Sequence, residues 1–283
     1  MKKQKAKTTD FTINDMPHNR IEVFFDCIKN EWRKIINCCC LLFLFSLPLL
    51  ISLLLKDTIL LSMVSNNEAA EAIKSTKMLF SLIHSLCLLI FSIGLAGFLK
   101  IIKLLSWQEP VFIKTDFMVG IKENAKECVM ISVIASIILI FTTYIDTYIN
   151  SSIVYLLFAV ALLILLPITI LTVYQSIIYK DSLMALIRNS FIFYIKSLFK
   201  TLLASLIAVA PILITLLLTI IGAPITVIGK YITYSLYFLI YLPISLFCLF
   251  LYCCSVFDKV KNKKYFPKIY DKGVYRKSEE EQK

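Results

Sequence analysis

The sequence predicts an all-α protein, a polytopic membrane helical bundle of about six transmembrane helices with amphipathic helices along its inner face. Three observations support this prediction. The chain is 59% hydrophobic, against roughly 45–50% for a soluble domain, so it needs lipid as a second apolar solvent. Six apolar runs are each long enough to cross about 30 Å of hydrocarbon. The lysines and arginines are concentrated in alternate connections between these runs.

The six apolar runs predict the transmembrane helices. Only His84 and Asp146 interrupt them with ionisable groups. Lipid leaves helices and closed barrels as the spanning structures, and barrel strands would give alternating segments of about ten residues. The runs are therefore expected to be helical, with short outer turns at 150–151 and 229–230. The predicted spans are 35–55, 78–99, 128–149, 152–179, 201–228 and 231–257.

The distribution of basic residues predicts the orientation. Of the 30 lysines and arginines, 26 lie in residues 1–34, 100–127, 179–201 and 258–283, and four lie in the other connections. Because basic connections stay on the cytoplasmic side, both termini are expected in the cytoplasm of a multi-pass protein of the cell (plasma) membrane. Anionic lipid headgroups at the inner face, rather than nucleic acid, are then the expected partners of this charge. The odd number of cysteines, nine, fits reduced thiols rather than a disulfide framework.

The chain divides into three segments. Residues 1–34 form a charged cytoplasmic N-terminal segment, residues 35–257 the six-helix transmembrane domain, and residues 258–283 a basic cytoplasmic tail. The N-terminal segment lacks the short basic start and apolar core of a signal peptide, so the first span is expected to remain attached. Apolar residues at helical spacing predict an amphipathic helix at 19–35 that lies on the inner interface. These residues are Ile21, Phe24, Phe25, Ile28, Trp32 and Ile35.

Two further inside stretches, 116–127 and 181–196, repeat the amphipathic pattern. Asp116 and Asp181 lie at their starts, where aspartate is favoured as a helix N-cap. A duplicated helical unit is the alternative interpretation of this similarity. Both interpretations place short helices at the inner face.

His84 and Asp146 are the candidates for a polar intramembrane pair. Counted from the outer ends of their predicted spans, the two residues differ in depth by about 4–5 Å, which allows a hydrogen bond. An ionisable group in lipid is costly, and it marks a proton or substrate pathway as a hypothesis. The alternative is that Asp146 is an interfacial residue, since Tyr144 and Tyr148 beside it suit an interfacial belt.

Prolines interrupt several spans. A proline in mid-span frees backbone carbonyls, which transporters use to coordinate ligands, although bundles also tolerate such kinks. Gly94 and Gly97 predict one closely packed helix face. The intramembrane prolines are Pro48, Pro167, Pro211, Pro224 and Pro243.

Enzyme signatures are missing from the sequence. It contains two histidines, His18 and His84, and no phosphate-binding loop, dinucleotide fingerprint or nucleophile elbow. These observations count against an ATPase, a zinc protease and a serine hydrolase. We therefore expect no enzymatic activity, no cofactor and no metal site.

A block of residues between the second and third spans carries a family resemblance. It comprises Lys103, Trp107, Asp116, Phe117, Gly120, Lys122 and Asn124. Together with Asn37 and the Ser46-Leu47-Pro48 stretch in the first span, this block resembles the YesL-like integral membrane proteins of low-GC Gram-positive bacteria. The resemblance covers roughly residues 20–257. It implies a helical bundle of uncharacterised biochemical function, often encoded beside carbohydrate-uptake transporters, and supplies no catalytic residues.

Two functions are consistent with these observations. The first is a non-enzymatic accessory component of a solute-uptake or envelope-sensing system, with a membrane transporter as its candidate partner. The second is a small secondary transporter or channel that uses the proline-kinked helices and Asp146. A transporter should contain a polar, water-accessible path at mid-membrane, whereas an accessory protein should be a dry bundle.

Overall fold

A computed structural model describes residues 16–66, 68–149, 152–220 and 227–275. Within this part of the chain, six helices are long and apolar enough to cross a membrane, and no strand occurs. The predicted all-α polytopic bundle is therefore confirmed. At most half of the most apolar window of each helix is buried inside the bundle, so extensive apolar surface faces outward, as lipid contact requires.

The helices are numbered here in chain order. They are α1 (Arg20–Ser65), α2 (Ala70–Ser106), α3 (Ile113–Tyr148), α4 (Ser152–Val160, Ala161–Leu165 and Leu166–Ile178), α5 (Leu183–Lys196), α6 (Leu198–Ile220) and α7 (Val227–Leu236, Tyr237–Tyr241, Leu242–Phe257, Asp258–Asn262 and Lys263–Tyr265). The middle segment of α4 is a π-helical turn, and so are the second and fourth segments of α7. The short helix α5, predicted as the amphipathic stretch 181–196, packs against α4.

Helix α1 is longer than a membrane span. Its 46 residues extend over about 69 Å at helical rise, so part of it must lie outside the hydrocarbon. Asn19 begins the helix, because its side-chain oxygen accepts hydrogen bonds from the amides of Ile21 and Glu22. The backbone leaves the helical region at Glu31 (φ −120°, ψ 18°). This bend separates an N-terminal arm, residues 20–30, from the span.

The N-terminal arm has two apolar faces rather than the one predicted. Val23 and Cys27 are buried against the bundle, and the ring of Phe24 lies 5.4 Å from that of Phe247 in α7. Placing Phe24 on the interfacial face was therefore wrong. Of the apolar residues predicted on the interfacial face, four are exposed: Ile21, Phe25, Ile28 and Trp32.

Helices α2 and α3 form a hairpin that is longer than their predicted spans. The predicted amphipathic stretch 116–127 is the first part of α3 and continues directly into the span. Two close approaches hold the hairpin together: a Cβ added at Gly97 would lie 2.9 Å from the Phe117 ring, and one at Gly120 would lie 2.5 Å from Cβ of Lys100. Small residues are therefore needed where these helices cross.

The predicted outer turn at 229–230 is wrong. Helix α7 begins at Val227 and includes Gly229 and Lys230, so the connection from α6 lies earlier in the chain. The residues between the two helices, 221–226, lie outside the described ranges. The predicted turn at 150–151 also lies outside the described ranges.

The two described chain ends meet at one end of the bundle, where the Tyr275 amide donates to the Pro17 carbonyl over 2.8 Å. We call this the basic end, and it also carries Arg20 and Lys103. We call the other end, which carries Lys77 and Asp146, the opposite end. An even number of spans between the chain ends explains why they lie together.

Candidate functional site

The predicted pair of His84 and Asp146 is not formed. The Asp146 carboxylate lies 3.8 Å from the ammonium of Lys77 instead. The His84 ring is buried, next to Phe80, and its Nε2 atom has no hydrogen-bond partner. The two residues predicted as one polar site are therefore separate in the structure.

The register of the α2–α3 hairpin explains why the pair fails. Ser132 donates to Ser92 over 3.2 Å, which fixes how the antiparallel helices face each other. In that register His84 lies opposite Ile140, six residues and about 9 Å from the level of Asp146. Helix α2 already begins at Ala70, so counting depth from the predicted start of the span placed His84 too close to the opposite end.

The environment of Asp146 is that of an interfacial residue. Its side chain is 49% exposed in its pair with Lys77, and the neighbouring rings of Tyr144 and Tyr148 lie 5.1 Å apart. A second partly exposed pair, Lys230 with Asp57 at 3.6 Å, contributes further charge to the part of the chain described at this end. Ion pairs of this exposure contribute about 0–1 kcal/mol, so they are weak candidates for a functional site.

The carbonyl that Pro167 frees in α4 finds a hydrogen-bond donor inside the bundle. Pro167 has no amide hydrogen to donate to the carbonyl of Leu163, four residues earlier. The Tyr194 hydroxyl of α5 donates to that carbonyl over 2.5 Å. The π-helical turn Ala161–Leu165, just before the proline, widens the backbone where the ring would otherwise clash.

The carbonyl that Pro211 frees in α6 also finds a donor inside the bundle. Pro211 frees the carbonyl of Ile207, and the Tyr241 hydroxyl of α7 donates to it over 2.5 Å. The Tyr237 hydroxyl reaches the next carbonyl, that of Ala208, at 3.3 Å. The hydrogen bonds at these two prolines therefore join neighbouring helices, and the two freed carbonyls are not left open for a ligand.

A buried ionic network, which no sequence pattern predicted, lies at the basic end. Arg20 Nη2 lies 2.8 Å from Asp258 Oδ2, with side-chain exposures of 12% and 6%. Asn262 Nδ2 donates to the other carboxylate oxygen over 2.8 Å, and the Tyr179 hydroxyl donates to Asn262 over 2.5 Å. Arg20 Nη1 donates to the carbonyl of Lys272 over 2.7 Å. The network joins the N-terminal arm, the end of α4 and the end of α7.

The local structure of α7 positions this network. Asp258 and Asn262 are the first and last residues of a π-helical turn and lie on one face of it. Arg20 begins α1, so its side chain can cross to this face only because the two described ends of the chain are adjacent. The signal in the sequence was an aspartate directly after the last apolar run, followed four residues later by an asparagine.

Lys103 and Trp107, from the block that resembles the YesL-like family, lie beside this network. The Lys103 ammonium donates to the carbonyl of Ile177 at the end of α4 over 2.7 Å. Burial, and then the charge of Lys100, lower the pKa of Lys103 to about 8. The Trp107 ring makes two cation–π contacts: the ammonium groups of Lys103 and Lys272 lie 4.5 and 4.3 Å from its centroid.

The other residues of the block build the α2–α3 hairpin. The Asp116 carboxylate accepts from the amide of Phe112 over 2.6 Å, so it caps α3 from within its first turn rather than as the N-cap residue. Buried Asn124 donates to the carbonyl of Gly120 over 3.1 Å. Lys122 is exposed. The residues of the block therefore lie near one another, and most of them begin a helix or form contacts between helices.

The C-terminal tail closes over the corner after α2. Gly273 has φ +85°, and a Cβ at this position would lie 2.2 Å from the carbonyl oxygen of Ser106 and 2.9 Å from Cα of Trp107. The ammonium of Lys272 also lies 2.5 Å from the carboxylate of Glu109. Glycine is required here both for its backbone conformation and for the close approach.

The described surface at the basic end carries many exposed positive side chains. The exposed lysines and arginines in the basic connections and tail are Lys29, Arg33, Lys114, Lys122, Lys126, Lys180, Arg188, Lys196, Lys200, Lys259, Lys263, Lys264 and Lys268. All nine cysteines are free thiols. In the described ranges, no group of three or more His, Cys, Asp or Glu side chains is arranged to hold a metal ion.

Comparisons with protein-family models, with curated proteins and with solved structures find no match to this chain. The likeness to the YesL-like family therefore stays a prediction that rests on the residues of the block. The geometry instead distinguishes two regions of the multi-pass bundle: membrane-spanning helices in which tyrosine hydroxyls occupy the carbonyls freed by Pro167 and Pro211, and a closely packed, highly basic end.

Proposed function

We propose that this chain is a multi-pass protein of the bacterial cell membrane, related to the YesL-like family, that acts as a non-enzymatic accessory component of a solute-uptake or envelope-sensing system. Both termini are cytoplasmic in this proposal. The basic end is then the cytoplasmic face, and it provides the surface for a membrane transporter or for anionic lipid headgroups.

The observation that carries the proposal is the construction of the basic end. The buried pair of Arg20 and Asp258 and the tail packed at Gly273 hold both chain ends in one body with the α2–α3 hairpin. Helix α3 begins at Ile113, 15 residues before its predicted span at 128, so its first part extends over about 22 Å and would project this body from the membrane. A rigid surface outside the membrane suits docking of a partner.

The spanning region gives less support to a transporter. The carbonyls freed by Pro167 and Pro211 are occupied by tyrosine hydroxyls. Asp146 is half exposed near the end of its helix and is paired with Lys77. A transporter would be expected to hold such groups open to a path at mid-membrane.

The orientation is tested by cysteine accessibility. In sealed right-side-out vesicles, a membrane-impermeant maleimide should label Asn66→Cys, and it should label Lys122→Cys only after the membrane is opened. Labelling of the native thiols in the parent protein sets the background. Labelling of Lys122→Cys from outside would overturn the orientation and with it the cytoplasmic docking surface.

The accessory function is tested by capture from native membranes under conditions that preserve complexes. The parent chain should co-purify with subunits of a solute transporter or an envelope sensor. Reversing the charge of Lys114, Lys122 and Lys126 should release these subunits, because the three lysines are exposed and precede the predicted span at 128–149. The matched control is Lys74→Glu at the opposite end. Equal capture by both variants, or solute flux by the purified chain alone in liposomes, would contradict the proposal.

A further inference from the structure

An apolar groove opens to the lipid side of the bundle between α6 and α7. Its volume is about 700 Å³, and it is lined from Ala204 to Pro211 on α6 and from Thr233 to Leu249 on α7. The α7 side extends over about 24 Å at helical rise. Ile207 and Ile240 are both more than half exposed at its edges, so the groove is open to lipid rather than enclosed.

The sequence creates this groove in two ways. Ala204 and Ala208 keep the α6 wall small, and Pro211 interrupts the helix at the next turn. On the α7 side, the π-helical turn Tyr237–Tyr241 brings two tyrosines to the groove, and their hydroxyls bond to α6 carbonyls. The tyrosines tie the helices together beneath the groove without filling it.

Charged and polar groups lie where the groove approaches the basic end. Lys200 is exposed and lies four residues before Ala204, so it continues the α6 stripe that lines the groove. The next residue, Thr201, is buried, and its hydroxyl contacts those of Ser197 and Tyr252, each at 2.8 Å, so these groups satisfy one another. The groove is therefore apolar along its length, and the α6 stripe continues from it to one exposed positive charge.

We propose that this groove binds one acyl chain of an anionic phospholipid, with the lipid phosphate at Lys200. The length of the groove exceeds half of the about 30 Å hydrocarbon layer, which is the depth that one acyl chain occupies. Its volume lies within the range of about 300–1,000 Å³ that is typical of small-molecule sites. A phosphate at this level places the headgroup at the basic end and the chain towards mid-membrane.

A partner helix would lie across the open side of the groove rather than within it, because a helix about 10 Å wide and 24 Å long fills roughly 1,900 Å³. The cation at one end distinguishes an anionic lipid from a neutral one. The site is independent of the proposed accessory function, because it is built from α6 and α7 within the membrane and not from the hairpin surface.

The test uses the purified full-length chain, stripped of lipid in detergent and titrated with palmitoyl-oleoyl phosphatidylglycerol or phosphatidylcholine. Native mass spectrometry counts the lipids bound. Phosphatidylglycerol should bind more tightly, and Lys200→Gln should weaken it about fivefold, the effect of one lysine at an anionic headgroup. Cys248→Phe places a ring inside the groove from an exposed position and should weaken both lipids.

Matched controls separate the groove from the general surface. Lys122→Gln removes an exposed lysine outside the groove, and Val133→Phe adds a ring on the exposed face of α3, so neither should change lipid binding. Ala204→Leu replaces Cys248→Phe as the filling variant if the latter lowers the melting temperature. Equal binding of the two lipids, or equal effects of Lys200→Gln and Lys122→Gln, would overturn the proposal. Unchanged binding in a folded filling variant, or dimers cross-linked through Cys248, would also overturn it.

Discussion

Breaking the buried pair of Arg20 and Asp258 should release the C-terminal tail from the bundle. In Asp258→Ala, the Arg20 guanidinium keeps its bond to the Lys272 carbonyl but loses its carboxylate partner. Asn262 also loses the acceptor of its amide hydrogen. Because these groups lie at the contact between α1 and α7, the cost falls on the docking of residues 258–275 rather than on the membrane spans.

The burial of the pair sets the expected magnitude. With side-chain exposures of 12% and 6%, removal of one partner should cost about 3–5 kcal/mol, the range for an uncompensated buried charge. The Lys100–Glu123 pair is a matched control at 2.7 Å, but its glutamate is 47% exposed, so Glu123→Ala should cost about 1 kcal/mol or less. Replacing both Arg20 and Asp258 by leucine should cost less than the sum of the single replacements.

Hydrogen exchange in lipid nanodiscs measures this cost as the opening free energy of the tail amides. A loss of 3 kcal/mol corresponds to about 150-fold faster exchange in residues 258–275. The double-mutant cycle should give a coupling of about 2 kcal/mol. Additive single changes, or an exchange rate in Asp258→Ala no faster than in Glu123→Ala, would refute the role assigned to the network.

Three further substitutions test other parts of the structure. Gly273→Ala places a Cβ against the Ser106 carbonyl at φ +85° and should destabilise tail docking by about 1–3 kcal/mol, seen as faster tail exchange; unchanged exchange would contradict the close approach. Burial lowers the folded pKa of Lys103 to about 8 from 10.5, so the unfolded state binds the proton between these values and stability should rise with pH across them. In thermal melts, Lys103→Met should flatten the rise of the melting temperature with pH. A variant that keeps this pH dependence would argue against its assignment to Lys103. Asp146→Asn should cost about 1 kcal/mol or less, because its pair with Lys77 is half exposed, and a large loss of stability would count against the interfacial assignment.

The fold class could be predicted because long apolar runs leave few alternatives in lipid. The helix boundaries could not, since hydropathy reports the hydrocarbon and not the end of the helix. Helix α2 continues to Ser106 and α3 begins at Ile113, both beyond the predicted spans. Polar residues at these helix ends continue the helix but lower its mean hydropathy, so a hydropathy criterion ends the span too early.

The candidate site was harder to predict because its partners are distant in sequence. Arg20 and Asp258 are 238 residues apart, and no local pattern couples them. The pairing of His84 with Asp146 failed because depth within a span does not fix the register of two helices, which here depends on contacts between small residues. The prolines were recognised, but the tyrosines that occupy their freed carbonyls come from other helices.

Water access to the middle of the bundle tests the central claim most directly. In a cysteine-free background, Ser132→Cys places a thiol on α3 at a buried position that bonds to α2, and Lys122→Cys provides an exposed control. A small, charged methanethiosulfonate reagent should modify Lys122→Cys readily and leave Ser132→Cys unmodified in folded protein from both sides of the membrane. Rapid modification of Ser132→Cys would reveal an aqueous path through the spans. It would contradict the claim that the bundle is dry and that its functional surface is the basic end.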